Sequence, residues 1–328
     1  MNSEFKKDVL VIILNYNKPR ETIEQIKEFF KDEYIFDILV IDNGSDTEKR
    51  DKLRLLLKNN FSITNTIDMK TCRENQEINI FYLETKQNLG YARGNNEGLR
   101  LACEAGYEFS IISNNDIKLT ETKTIATLVD KAKKDDSIAW CAPKIININN
   151  EIQGPYSKPR LLDFFYPEGI LYPIYKTITK KSFDKFSGLL NERYENGIEE
   201  PNFFIGCFGL FRNEAIKKSG FLDHNTFLYY EEQILSKRLL VNGYHLKYCS
   251  ETIVIHEHDY KKERKSLNIK NYMMFLKSMV YYFREYENYN DFIIFIGFLS
   301  KLSWIYIYNP VIVFIKRAIS FKRGPAQE

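Results

Sequence analysis

Short apolar, β-branched runs at residues 9–14, 38–41, 78–83 and 109–112 alternate with longer stretches of helical spacing at 19–31, 47–59 and 94–105. An apolar run without polar interruption suits a strand covered on both faces, and parallel strands need a long crossover between them. The alternation therefore predicts a β-α-β-α-β-α-β order, a mostly parallel sheet flanked by helices, in the α/β class. Pro19 opens the first helical stretch, while Asp42-Asn-Gly-Ser45 and Asn88-Leu-Gly90 supply turn chemistry between elements.

In sheets of this kind ligands gather beyond the carboxyl ends of the strands. Three polar clusters are expected there: Asn15-Tyr16-Asn17, Asp42-Asn43-Gly44 and Asn114-Asn115-Asp116.

Composition narrows the function classes. A net charge of +3 over 328 residues gives no reason to expect a nucleic-acid partner, because basic residues concentrate only near the C-terminal end. The five cysteines are scattered without a C-x-x-C pair, which fits reduced thiols better than a disulfide framework or a structural zinc site. The apolar run at 9–14 is too short for a signal-peptide core and passes directly into Asn15, so a cytoplasmic location is expected. Neither a G-x-G-x-x-G nor a G-x-x-x-x-G-K-[ST] loop is present.

Beyond the repeat, residues 151–201 are aromatic-rich and carry prolines 155, 159, 167 and 173, which reads as an acceptor-side insertion. Helices are expected from Asn213 and over 229–242, and closing strands at 246–248 and 252–255. Residues 261–328 form a helical, basic and aromatic C-terminal appendage to a domain spanning 1–260. Its apolar stretches, 292–299 and 302–315, are each short of the roughly 20 residues a spanning helix needs. Flanked by Lys316, Arg317, Lys322 and Arg323 and carrying Trp304, they read as an anchor on a membrane surface, with packing or a homodimer contact as the plainer alternative.

Four features carry chemistry. Asp116, at a strand end, can hold a divalent cation that bridges phosphates, or can simply close an Asx-turn. His256 ends the run Thr252-Ile-Val-Ile255 and could join Asp116 in a metal shell, although a lone histidine is more often structural. Glu231 and Glu232 follow the aromatic run Phe227-Leu-Tyr-Tyr230. Acids in a first helical turn commonly only complement the dipole, but a partly desolvated carboxylate also makes a good general base. Asn88, Gly90 and Arg93 open a helix whose backbone donors and guanidinium suit a diphosphate, or only close packing.

Taken in order, Val11-Ile-Ile-Leu-Asn-Tyr-Asn17, Val40-Ile-Asp-Asn-Gly-Ser-Asp46, Asn88-Leu-Gly-Tyr-Ala-Arg-Gly-Asn-Asn-Glu-Gly98, Ser113-Asn-Asn-Asp116, Gly206-Cys-Phe-Gly209, Phe227-Leu-Tyr-Tyr-Glu-Glu232 and Val254-Ile-His256 resemble family 2 glycosyltransferases of the GT-A fold. The likeness extends to their bacterial rhamnosyltransferase-like branch and covers about residues 8–260.

The resemblance implies a metal-dependent inverting transferase of surface-polysaccharide synthesis. It would move a hexosyl or rhamnosyl unit from a UDP- or dTDP-linked donor to a glycan or lipid-linked acceptor, at the inner face of the cytoplasmic membrane. Asn15, Tyr16, Asn17, Asp42 and Asn115 would line the nucleoside pocket, with Asn88, Gly90 and Arg93 near the diphosphate. Asp116 and His256 would hold Mn2+ or Mg2+, and Glu232, or its neighbour Glu231, would be the base. Asn114 replaces the first acid of the family's D-x-D motif. A sugar nucleotidyltransferase and a non-catalytic nucleotide-sugar-binding protein are the competing readings.

Overall fold

The four expected strands form in the computed structural model, which describes residues 6–161, 193–194, 200–258, 269–303 and 306–307. They are β1 (Val9–Asn15), β2 (Asp37–Asp42), β4 (Ile80–Glu84) and β5 (Phe109–Ser113), and a two-residue strand, β3 (Ile63–Thr64), precedes β4. Helices α1 (Pro19–Phe29), α2 (Thr47–Asn60), the short α3 (Met69–Cys72) and α4 (Tyr91–Ala105) connect them. β2 is buried at every position and β1 at all but Leu14, as strands covered on both faces must be.

The chain continues through β6 (Ile117–Leu119), α5 (Thr124–Lys133), β7 (Ile138–Asn147), β8 (Phe208–Arg212), α6 (Asn213–Lys218), α7 (Glu231–Val241) and β9 (His245–His256). Among the described residues these strands make one sheet in the order β3-β4-β2-β1-β5-β8-β7-β9-β6. Neighbours from β3 to β5 run parallel, as do β7 and β9, whereas β8 is antiparallel to β5 and β7, and β6 is antiparallel to β9. From β1 the chain passes to β2 on one side and later to β5 on the other, so the order reverses at β1. A crevice at the carboxyl ends of β1 and β5 follows from that reversal.

Three elements differ from expectation. α4 starts at Tyr91, ahead of residue 94, because Gly90 at φ 84° turns the chain and the Tyr91 N–H donates to the Phe227 carbonyl at 2.8 Å. α7 begins only at Glu231, because Tyr229 and Tyr230 are left-handed, at φ 72° and 68°. The two closing strands are one, β9, whose pairing with β7 slips between Pro143 and Lys144. That irregularity interrupts the apolar period in both strands, which is why neither is legible as a continuous run.

A buried ion pair ties the sheet's amino-terminal side. Lys7 Nζ lies 2.6 Å from Asp37 Oδ1 with both side chains fully buried, and Tyr107 Oη donates to Asp37 Oδ2 at 2.6 Å. Phe208 stacks on Phe29 of α1 at 6.3 Å, joining the antiparallel part of the sheet to the parallel part.

The chain divides into two compact units, Met1–Lys158 with Asn191–Ser266 and Pro159–Leu190 with Leu267–Glu328. The second contains α8 (Ile269–Tyr281), a π-helical turn at Tyr282–Tyr286 and α9 (Asp291–Ser303). Phe292 and Phe295 of α9 are 70% and 55% exposed. No described helix is long and apolar enough to cross a membrane. Most of the insertion at 151–201, Trp304 and the basic cluster at 316–323 lie outside the described residues.

Candidate active site

The carboxyl end of β1 delivers Asn15 into a closed polar network. Its Nδ2 donates to Asp42 Oδ2 at 2.8 Å and to Ser45 Oγ at 3.2 Å, and its Oδ1 accepts from Lys18 N and Thr22 Oγ1. The other oxygen of Asp42 accepts from Ser45 N at 2.9 Å. Both Asn15 and Asp42 are 0% exposed. These bonds shape the two loops that close the crevice, and each Asp42 oxygen, with one hydrogen bond, keeps a second lone pair. Asn17, at φ 58°, exchanges two hydrogen bonds with Asp46 across those loops, and Tyr16 stands 46% exposed above them. Asn115 joins the floor through Thr22 Oγ1 at 3.4 Å.

Asp116 and His256, 140 positions apart in the chain, meet as expected. β6 pairs Ile117 with His256, and the Glu257 N–H donates to the Asp116 carbonyl at 2.8 Å. His256 Nε2 then lies 3.3 Å from Asp116 Oδ1, and His258 Nδ1 lies 3.9 Å from Oδ2. Gln153 Oε1 lies 2.9 Å from His256 Nδ1, which orients the ring so that Nε2 faces the carboxylate.

Burial works against the Asp116 charge, yet His256, Lys18 and His258 outweigh it and hold the carboxyl below its ordinary value. Among the described residues its Oδ1 is buried without a hydrogen bond of normal geometry. A buried acceptor without a donor, facing two imidazoles, fits a divalent cation. His258 and Gln153 were not expected here. The H-x-H spacing at a strand end was the signal for His258, whereas nothing in sequence links Gln153 to the cluster.

The second half of the site is the Glu231-Glu232 pair. Gly206 N donates to Glu232 Oε1 at 3.0 Å, and a Cβ at Gly206 would fall 3.0 Å from Glu232 Cγ, so a larger residue would displace the Glu232 side chain. Glu231 is 2% exposed and its Oε2 has no hydrogen-bond partner among the described residues, while Glu232 keeps some surface. Desolvation raises both carboxyls, Glu231 well above the usual range, with the Glu232 charge adding to it. The two left-handed tyrosines just before the pair cost of order 1–3 kcal/mol each, strain of the kind that collects at functional sites.

Tyr91 and the Gly206-Cys207 strap join the halves. Tyr91 Oη donates to the Gly206 carbonyl, and Asn114 N donates to the Cys207 carbonyl at 2.8 Å. Half-buried Tyr91 and buried Cys207 each lie within electrostatic reach of both Asp116 and Glu232.

Asn88, Gly90 and Arg93 are placed together at the start of α4. Asn88 Oδ1 accepts from Gly90 N, and Asn43 Nδ2 bridges Asn88 and the Gly90 carbonyl. Arg93 Nε donates to the His224 carbonyl at 2.8 Å and lines a shallow cleft with Asn88, Asn225 and Phe227.

No curated protein matches the sequence. The fold is similar to that of the mannosyltransferase PcManGT from Pyrobaculum calidifontis in complex with GDP-Man and Mn2+, at a TM-score of 0.53 and 12% identity, covering 99% of this chain and 77% of that one. It is also similar to GalNAc-T7 with UDP, GalNAc and Mn2+, at 0.55 and 15%, covering 86% of this chain and 48% of the other. Both are similar in fold alone. The sequence model of glycosyl transferase family 2 matches residues 10–220, nearly two-thirds of the chain, and the chain belongs to that family.

Proposed function

We propose that this chain is a metal-dependent, inverting glycosyltransferase. It moves a hexosyl or rhamnosyl unit from a nucleotide-sugar donor, UDP- or dTDP-linked, to a glycan or lipid-linked acceptor of bacterial surface polysaccharide. The observation that carries the reading is the pairing of two unlike groups across the Tyr91 and Cys207 strap. On one side Asp116 is held ionised beside His256; on the other Glu232 is pushed toward neutrality by burial.

Asp116 and His256 would hold Mn2+ or Mg2+, which when bound offsets the charge of the departing nucleoside diphosphate. Arg93 and the α4 start would orient the diphosphate. Glu232 would take the acceptor proton as the acceptor oxygen bonds to the anomeric carbon and the bond to phosphate breaks. A carboxyl raised by burial is better matched to that proton transfer near neutral pH than an ordinary one. Glu231, more deeply buried, would keep its proton and leave the pair with a single negative charge. Relatives in fold are seen with GDP-Man, UDP and Mn2+, which supports a nucleotide-sugar donor and a divalent cation here.

Incubation with UDP-, dTDP- and GDP-linked sugars, with and without Mn2+, tests the reaction class. Cation-dependent release of nucleoside diphosphate from one of them is the expected result. Release of pyrophosphate from a nucleoside triphosphate and a sugar phosphate would instead mark a nucleotidyltransferase.

A further inference from the structure

The position at which the family's D-x-D motif carries its first acid is Asn114 in this chain, and the amide brings no charge to a cation. A second imidazole stands near Asp116 instead. The hydrogen bond from Glu257 N to the Asp116 carbonyl fixes residue 257 beside the aspartate, so the imidazoles on either side of it, His256 and His258, both face one carboxylate. Their rings stack at 5.6 Å and 21°, and one ligand atom from each of Asp116, His256 and His258 falls within a 4.8 Å span. Two ligands about 2.1 Å from one ion sit roughly 3.0–3.4 Å apart, and the His256–Asp116 separation of 3.3 Å matches that spacing.

Resting on the assignment of Asp116 and His256 to a cation site, we infer that His258 is its third protein ligand and that the site selects a transition-metal ion over Mg2+. Two imidazoles and one carboxylate form a mixed nitrogen-oxygen set. Mg2+ takes oxygen ligands in strict octahedral geometry, whereas imidazole favours the later divalent ions. The second imidazole supplies the ligand that Asn114 does not, at the cost of changing which ions bind well. Mn2+, Co2+ and Zn2+ therefore bind in rising order above Mg2+.

The test is direct metal binding by the full chain, with UDP present and absent. Free Mn2+ is followed by electron paramagnetic resonance, with Mg2+ and Co2+ as competitors. Wild type is expected to hold Mn2+ at least tenfold tighter than Mg2+, and the spin echo of bound Mn2+ should carry modulation from two imidazole nitrogens. His258→Ala should lose one nitrogen and at least tenfold in Mn2+ affinity. Because the His258 side chain is 29% exposed, its truncation leaves little void, and a melting curve verifies folding. Asn114→Asp in the wild-type background should raise Mg2+ affinity and narrow the preference; in the His258→Ala background it should restore Mn2+ binding.

Unchanged Mn2+ affinity and two nitrogen couplings in His258→Ala would overturn the role of His258 while leaving the cation site of Asp116 and His256 in place. A wild-type chain that binds no divalent cation under either condition would overturn the site itself.

Discussion

Glu231 is the residue whose burial has the clearest measurable consequence. Desolvation, and then the neighbouring Glu232 charge, raise its carboxyl well above the ordinary value. An unfolded glutamate ionises near about pH 4.3. As pH rises past that point the unfolded chain releases a proton that the folded chain retains, so this group's contribution to stability is fully present below pH 4.3. It is lost as pH rises toward the folded-state pKa. Glu231→Gln removes the ionisation, and the gap in melting temperature between variant and wild type should widen in the variant's favour from pH 5 to pH 8. A gap independent of pH would mean that Glu231 is not held protonated.

At this scale the sequence was readable where a residue type and its place agreed, as with Asp116 at a strand end or the acids after an aromatic run. It was not readable where the partner is remote. The partners of Asp42, Asn15 at 27 positions away and Ser45, follow from no local motif. Gln153 orients His256 from a segment with no motif at all.

Between elements, packing decided what local pattern could not. β1, β2, β4 and β5 were legible because a strand covered on both faces must be apolar throughout. β7 and β9 were obscured by their slip at Pro143, and the start of α7 by left-handed tyrosines that only surrounding contacts can enforce. Lys7 follows Lys6 without any local motif, and in the fold it is the buried clamp between Asp37 of β2 and Asn75 ahead of β4. Lys7→Ala would leave Asp37 ionised without its countercharge in the interior. A loss of about 3–5 kcal/mol is expected, read as a lower urea midpoint. A loss below about 1 kcal/mol would show that Tyr107 and Asn79, which also bond Asp37, suffice to hold it.

For the whole molecule, the family and the sheet establish a glycosyltransferase framework, and the chain adds a second, C-terminal unit. Phe292, Phe295 and Tyr306 are all more than half exposed, an apolar set suited to the headgroup region of a bilayer. If that unit docks on a membrane, the chain should float with anionic vesicles, and replacing Phe292 and Phe295 with serine should reduce the floated fraction severalfold. Equal flotation of wild type and variant would remove the docking role.

The account as a whole requires that Glu232 act on the acceptor while Asp116 and His256 serve the donor. Transfer rate and donor affinity measured together on Glu232→Gln test this most directly. The expected result is a fall in kcat of about 10²–10⁴ with donor binding unchanged. Near-normal transfer, or a loss of donor affinity that accounts for the whole defect, would contradict it.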